Sequence, residues 1–274
     1  METPRDQPAA TLFSDLQRGS FAVIGQLYAG ALRALGWSVS EVQTPASAAE
    51  QAACVRAHPA NLYLLNTLGG GFRRVPGARN IALPVHEWSR CPEAWARALG
   101  GFDAVWVTTP HVARVLVRRG CPRRPQVIPP PLEPQVPAAV KTDYAAPAPF
   151  RFLYVGEAHF RKGLHLLLPA FLAAFPEPGT ASLTLKLPPD CALTSPREDI
   201  RIIAESLSGA DLAALYTGHD AYVTASLGEG LGLPVAEAVL AGLPVAANLW
   251  GGHAALLRAD ACYAIAHREV PQTF

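Results

Sequence analysis

The chain has 274 residues, half of them hydrophobic and 16% charged, with a formal net charge of +1. That length suits two ordinary domains with their own cores, and the composition excludes a disordered chain. A near-neutral balance without a long basic run argues against nucleic acid as the main partner, because phosphate neutralisation needs concentrated Lys and Arg.

Cys54, Cys91, Cys121, Cys191 and Cys262 are odd in number and widely spread. Disulfide frameworks and structural zinc sites use closer, paired spacing, so these are expected to be reduced thiols in a cytoplasmic protein. The start, METPRDQPAA, lacks the apolar core of a signal peptide. The apolar stretches 21–37 and 164–175 are broken by Gln26, Arg33, His165 and Pro169, too short or too polar to span a bilayer. Contact with a membrane surface stays open.

Along the chain, short apolar runs alternate with helical ones, the pattern of an α/β fold. Phe21, Ile24, Tyr28, Ala31 and Leu35 recur at helical spacing, and Gly36 supplies a stop. GWSVSEV, ANLYLLN, ARNIALP, DAVWVT and PQVIP read as strands; His111–Arg119 reads as a helix with Val112, Val115 and Leu116 on one face, ended by Gly120. Residues 129–149 hold seven prolines and little periodicity, which suits a linker. The expected division is a first Rossmann-like domain over 1–135, a Pro-rich linker over 136–149 and a second domain over 150–274. In the second, RFLYVG, ASLTLKL, DIRIIAES, DAYVTAS and LPVAAN read as strands, and 164–175, 209–217 and a segment starting at Leu233 as helices.

The most informative segment is SLGEGLGLPVAEAVLAGLPVAA, 226–247. An apolar strand ends at Ser226, a glycine-rich turn follows, and Pro234 sits where a helix begins, a position that suits its missing N–H. Gly228, Gly230 and Gly232 let the backbone approach a ligand or adopt positive φ. Exposed N–H groups and the positive end of the helix dipole then make a cradle for a diphosphate. Glu229 lies on the loop. Glu237 lies one turn into the helix, where a carboxylate can accept from neighbouring ribose hydroxyls.

Glu229 and Glu237 form an E-x(7)-E pattern, and EGLGLPVAEAVLAGLPVAA resembles the corresponding string of family 4 (group 1) glycosyltransferases, retaining enzymes of the GT-B fold. The resemblance extends to RFLYVGEAHFRKGLHLLLPAF, to SGADLAALYTGHDAYVTAS and, in the first half, to VHEWSRCPEAWARALGGFDAVWVTTPHVARVLVRRG, covering roughly residues 80–257. It implies an α/β GT-B protein of two facing Rossmann-like domains with parallel sheets, and transfer of a sugar from a nucleotide diphosphate sugar to a carbohydrate, lipid or other small acceptor.

The resemblance also implies roles. Glu237 holds the ribose, Glu229 contacts the donor sugar, Lys162 with Arg161 neutralises the diphosphate, and backbone around Gly230, Leu231, Gly232 and Leu233, with Gly156 nearby, lines the nucleotide site. His86 is the candidate from the first domain for contacting the transferred sugar. Charge from Lys, Arg and a helix N-terminus replaces a metal, so no metal and no cofactor beyond the donor are expected. The other histidines, the cysteines and Trp88, Trp95 and Trp106 are read as structural, the tryptophans as core or cleft wall. Glu157 follows Gly156 where the family has Arg or Lys, Gly251-Gly252-His253-Ala254-Ala255 lacks the family's Glu, and the second domain is expected to be shortened at its C-terminal end. These departures keep two alternatives open: a non-catalytic nucleotide-sugar-binding relative or scaffold, and another GT-B enzyme such as a nucleotide-sugar epimerase or a phosphorylase.

Overall fold

A computed structural model describes residues 7–17, 19–67, 73–132 and 149–271. The chain divides into two compact units, Met1–Leu132 and Glu133–Phe274. All but the last residue of the expected linker 136–149 falls outside the described residues.

The first unit runs β1 (Ala9–Ser14), α1 (Gly19–Ala34), β2 (Ser38–Gln43), α2 (Ala48–Ala57), β3 (Leu62–Thr67), β4 (Arg79–Pro84), α3 (Glu93–Ala98), β5 (Ala104–Val107), α4 (Pro110–Arg118) and β6 (Gln126–Val127). Its sheet has the order β2-β1-β3-β4-β5-β6, with every pair parallel. Helices on the crossovers bury both faces of the central strands. That is why β1, β3 and β4 are buried in nearly continuous runs and not in alternation. Phe13, Tyr63, Val105, Val112, Val115 and Leu116 share one core, with Phe13 and Tyr63 stacked at 6.0 Å.

Within α1 the buried stripe is Ile24, Gly25, Tyr28, Ala29 and Leu32, a slightly different face from the expected one. Leu35 lies beyond the helix and is exposed, because the Gly36 stop (φ 85°) takes effect a residue earlier. The expected face of α4 is buried as read, its start fixed by the Thr109 side chain accepting from the Val112 N–H and by Pro110. Trp88, Trp95 and Trp106 are each half-buried. Trp106 packs at a tilt on Tyr28, and its indole N–H donates to Gln126.

The second unit runs β7 (Phe150–Val155), α5 (Leu164–Ala174), β8 (Ala181–Lys186), β9 (Ile200–Ile203), α6 (Gly209–Thr217), β10 (Ala221–Val223), α7 (Leu233–Leu240), β11 (Val245–Ala247), α8 (His253–Leu256) and β12 (Tyr263–Ala264). Its parallel sheet has the order β12-β11-β10-β7-β8-β9. Leu153, Tyr216, Tyr222, Val235 and Val245 form a core on one side, and Leu167, Phe171, Leu183 and Leu185 form one on the other. At the start of β7 and β10 the Arg151 guanidinium and backbone N–H both donate to the Asp220 carboxylate, pinning the two central strands in register. The order places the chain reversal between β7 and β10. In an open parallel sheet the ligand crevice lies past the carboxyl ends of the strands at such a reversal.

Candidate active site

The loops that leave β7 and β10 meet past their carboxyl ends. After β7, Gly156 donates its N–H to Lys186 O; a Cβ there would stand 2.7 Å from the Tyr154 hydroxyl. The chain then makes a 3-10 turn over Phe160–Lys162 and enters α5 through Gly163, which is left-handed (φ 73°). A Cβ on Gly163 would overlap the Ala225 carbonyl, so only glycine lets this loop press against the segment after β10. The contact is sewn by Leu227 N–H donating to Arg161 O at 2.7 Å and by Arg161 Nη1 donating to Gly228 O at 2.6 Å.

That close approach puts two cations on one buried acid. Glu229 is 8% exposed. Lys162 Nζ donates to its Oε1 at 2.7 Å, and Arg161 Nη1 lies 3.3 Å from its Oε2. The Ser226 hydroxyl donates to Oε1 at 2.8 Å, and Asn248 Nδ2 holds the Ser226 carbonyl at 2.6 Å. Burial alone raises the carboxyl pKa, but the Lys162 and Arg161 charges overcome it and hold Glu229 below its ordinary value. Two cations and one carboxylate leave the cluster with net charge +1, which favours an anion beside it.

α7 begins directly after this cluster. Its N-cap is Gly232 in the left-handed region (φ 89°, ψ 60°), with no side-chain cap and Pro234 in the first turn. Of Gly228, Gly230 and Gly232, the last is the one with positive φ. A Cβ on Gly232 would lie 2.7 Å from the His253 ring. Leu231 and Leu233 are buried on either side. The turn after β11 closes the loop from below: Gly252 N–H donates to Glu229 O at 2.6 Å, and a Cβ on Gly252 would stand 2.5 Å from Leu231 N. Gly251 and Gly252 are thus small because the loop that carries Glu229 rests on them.

Glu237 sits on α7 and accepts from the Tyr216 hydroxyl at 2.7 Å. Burial raises its carboxyl pKa, opposed by the Tyr216 bond. The second unit therefore assembles Arg161, Lys162, Glu229, Gly230, Leu231, Gly232 and Leu233 around the start of α7, with Gly156 at the end of β7 and Glu237 further along α7. His86 belongs to the first unit. It is 7% exposed on the loop after β4, with Nε2 2.7 Å from Arg90 O, and burial lowers its pKa. Glu157 is exposed and pairs with His159 at 3.0 Å.

Asn248, Tyr216 and His253 do not stand out in the sequence, and Ser226 is read there only as a strand end, whereas β10 ends at Val223 and Ser226 lies on the loop. His253 reads there as merely structural, yet it is 2% exposed, wedged under Gly232, and its pKa is lowered by burial against the opposing charge of Glu229. The signal available is the glycine pair just before it. Among the described residues no group of three or more His, Cys, Asp or Glu could hold a metal, and no helix is long and apolar enough to cross a membrane.

Residues 149–274 match the family model described as glycosyl transferases group 1. HepE from Anabaena, solved with UDP-glucose, is 15% identical and superposes with a TM-score of 0.69 over 92% of this chain and 83% of its own. Sucrose-phosphate synthase from Thermosynechococcus elongatus is 18% identical, with a TM-score of 0.66 over 90% and 82%. WaaG, a glycosyltransferase involved in lipopolysaccharide biosynthesis, is 16% identical, with a TM-score of 0.66 over 90% and 82%. No curated protein sequence matches the chain. The chain has the GT-B fold of these enzymes, and residues 149–274 are similar to group 1 glycosyl transferases.

Proposed function

We propose that the protein transfers a sugar from a nucleotide diphosphate sugar to an acceptor, with retention at the anomeric carbon. The observation that carries this reading is the buried Glu229 carboxylate holding Lys162 and Arg161 beside the start of α7. The donor's departing diphosphate needs positive charge already in place, in a site from which water is excluded. Lys162, Arg161 and the N–H groups of the first turn of α7 supply it, while Glu229 fixes both cations and offers its edge to the sugar. Glu237 accepts from the ribose. Cations already held in place by Glu229 need no reorganisation when the leaving group departs.

Charge from these side chains does the work a metal would do, so turnover should survive EDTA, and no cofactor beyond the donor enters. A same-face displacement draws on no enzyme base, and none is assigned. His86 is assigned no step, since its Nε2 is engaged by Arg90. The free cysteines Cys54, Cys91, Cys121, Cys191 and Cys262 suit a reducing compartment, which supports placing the enzyme in the cytoplasm.

The test is a thermal-shift titration against UDP, GDP, ADP and their sugar conjugates, followed by product analysis. A ligand at 100 times its dissociation constant stabilises the folded state by about 2.7 kcal/mol. A response to one nucleotide class, then an α-linked product from an α-linked donor, is expected. Binding without turnover on any acceptor would instead favour a non-catalytic relative, and no binding at all would remove the donor site.

A further inference from the structure

Glu237 is not held by its own helix. The group that touches it is Tyr216, from the end of α6, whose hydroxyl donates to Oε2 at 2.7 Å and stands 3.3 Å from Pro234 O. One proton cannot serve both acceptors well, and the shorter bond, to a carboxylate, takes it. The tyrosine ring is 2% exposed and packs on Tyr222 of β10 at 6.2 Å, inside the core. The donor is thus fixed by packing, whereas Glu237 Oε1 accepts no bond from the described residues. The titratable groups facing Glu237 are Tyr216 from α6 and Tyr222 from β10. Burial raises both phenols well above their ordinary value, so both stay protonated and Tyr216 stays a donor at every working pH.

We propose that Tyr216 is the positioning residue of the ribose contact: its hydroxyl occupies one lone pair of Glu237 Oε2 and sets the carboxylate so that Oε1 and the remaining lone pair accept from the two ribose hydroxyls. This rests on the reading of Glu237 as the ribose partner, and it makes the site a selector for ribonucleotides. A carboxylate that swings freely pays to be ordered at each binding event; one anchored by a core tyrosine does not.

The experiment compares the dissociation constant of the nucleoside diphosphate that binds with that of its 2′,3′-dideoxy counterpart, in the wild type and in Tyr216→Phe, from pH 5 to 8.5. Phosphate titration cancels in the ratio of the two. The wild type should prefer the ribose form by at least about tenfold, and Tyr216→Phe should cut that preference at least about fivefold while leaving the dideoxy affinity unchanged. The preference should also fade at a higher pH in Tyr216→Phe, because the bond that opposes the rise of the Glu237 carboxyl is gone.

A Tyr216→Phe protein that keeps the wild-type preference, or that loses both ligands equally, would overturn the proposal. Absence of any preference in a wild type that binds both forms would instead overturn the ribose role of Glu237, and this proposal with it. Should Tyr216→Phe fail to fold, site-specific replacement of Tyr216 by 3-fluorotyrosine keeps the hydroxyl and strengthens it as a donor. The preference should then persist to lower pH than in the wild type; an unmoved profile would count against the proposal.

Discussion

Lys162 Nζ and Glu229 Oε1 lie 2.7 Å apart although 67 residues separate them in sequence, each at the end of a different loop. The pair exists because Gly163 lets the loop after β7 lie against the one after β10. The acid is 10% and the lysine 15% exposed at the side chain, so neither can fall back on water if the other is removed. A buried pair of this kind is weak evidence for stability as such, but breaking it by half is costly.

Lys162→Met should therefore cost about 3 kcal/mol, softened by the remaining Arg161, as read from the denaturation midpoint. Glu229 has a depressed carboxyl pKa in the fold, so its contribution is present above the unfolded value and lost as pH falls through the folded one, below the usual carboxylate range. In Lys162→Met that acid limb should move to higher pH. An unchanged limb would mean that Arg161 alone holds the carboxylate.

Gly163→Ala tests the close approach itself. The substitution meets a left-handed φ of 73° and the Ala225 backbone, neither of which can yield without moving a strand end. Strain of about 1–2 kcal/mol for the conformation adds to about 1–3 for overpacking, and nucleotide response should vanish with it. Gly179→Ala is the control in the same unit: φ is positive (110°) but nothing lies within 4 Å of the added Cβ. If both variants lose the same stability, steric contact with Ala225 does not matter.

Much of this arrangement is legible in the sequence, and for definite reasons. Apolar runs such as LYLLN and IALP announce strands buried on both faces, and Gly36, Gly120 and Pro234 mark helix ends through backbone chemistry that does not depend on distant residues. Glu229, Glu237, Lys162 and Arg161 stand out because their motifs are contiguous. What escapes is whatever depends on a partner far along the chain. Nothing local to Tyr216 or Asn248 says that they hold Glu237 and Ser226, and His253 carries no mark of lying under Gly232. α2 escapes because Gln51 is its sole buried residue, leaving no apolar stripe to read. The first strand, AATLFS, escapes as well, its run being short and its first residues small.

The second unit should lose stability in mild acid through its buried histidines. His219 is held by Leu215 O and the Thr184 hydroxyl, His253 is wedged under Gly232, and burial lowers the pKa of both. Each unfolds to an imidazole of ordinary pKa, near 6.5, so the unfolded state binds more protons as pH falls below that value. The stabilising contribution is full above about 6.5 and is lost as pH drops through the folded values. A tenfold weaker hold on the proton in the fold corresponds to about 1.4 kcal/mol. The melting temperature should fall between pH 7 and pH 5, and His219→Gln should flatten that fall. A flat profile in the wild type would mean that neither histidine stays neutral in the fold.

Glu237→Gln separates binding from stability. Because the folded carboxyl pKa is raised, the contribution of Glu237 to stability is full below the unfolded value of about 4.3 and lost as pH rises through the folded one. Above that folded value the native state carries an ionised group in a place that resists ionisation. Glutamine has the same shape, can still accept from Tyr216 through its amide oxygen, and removes the charge. The variant should melt higher than the wild type at pH 7, by an amount equivalent to about 0.5–1.5 kcal/mol, and should lose that advantage in acid. Its nucleotide-induced shift should shrink at the same time, since an amide presents one acceptor where the ribose needs two. Higher stability with a full nucleotide response would show that Glu237 is a strained structural acid and not the ribose partner; lower stability would show that the carboxylate is needed by the fold.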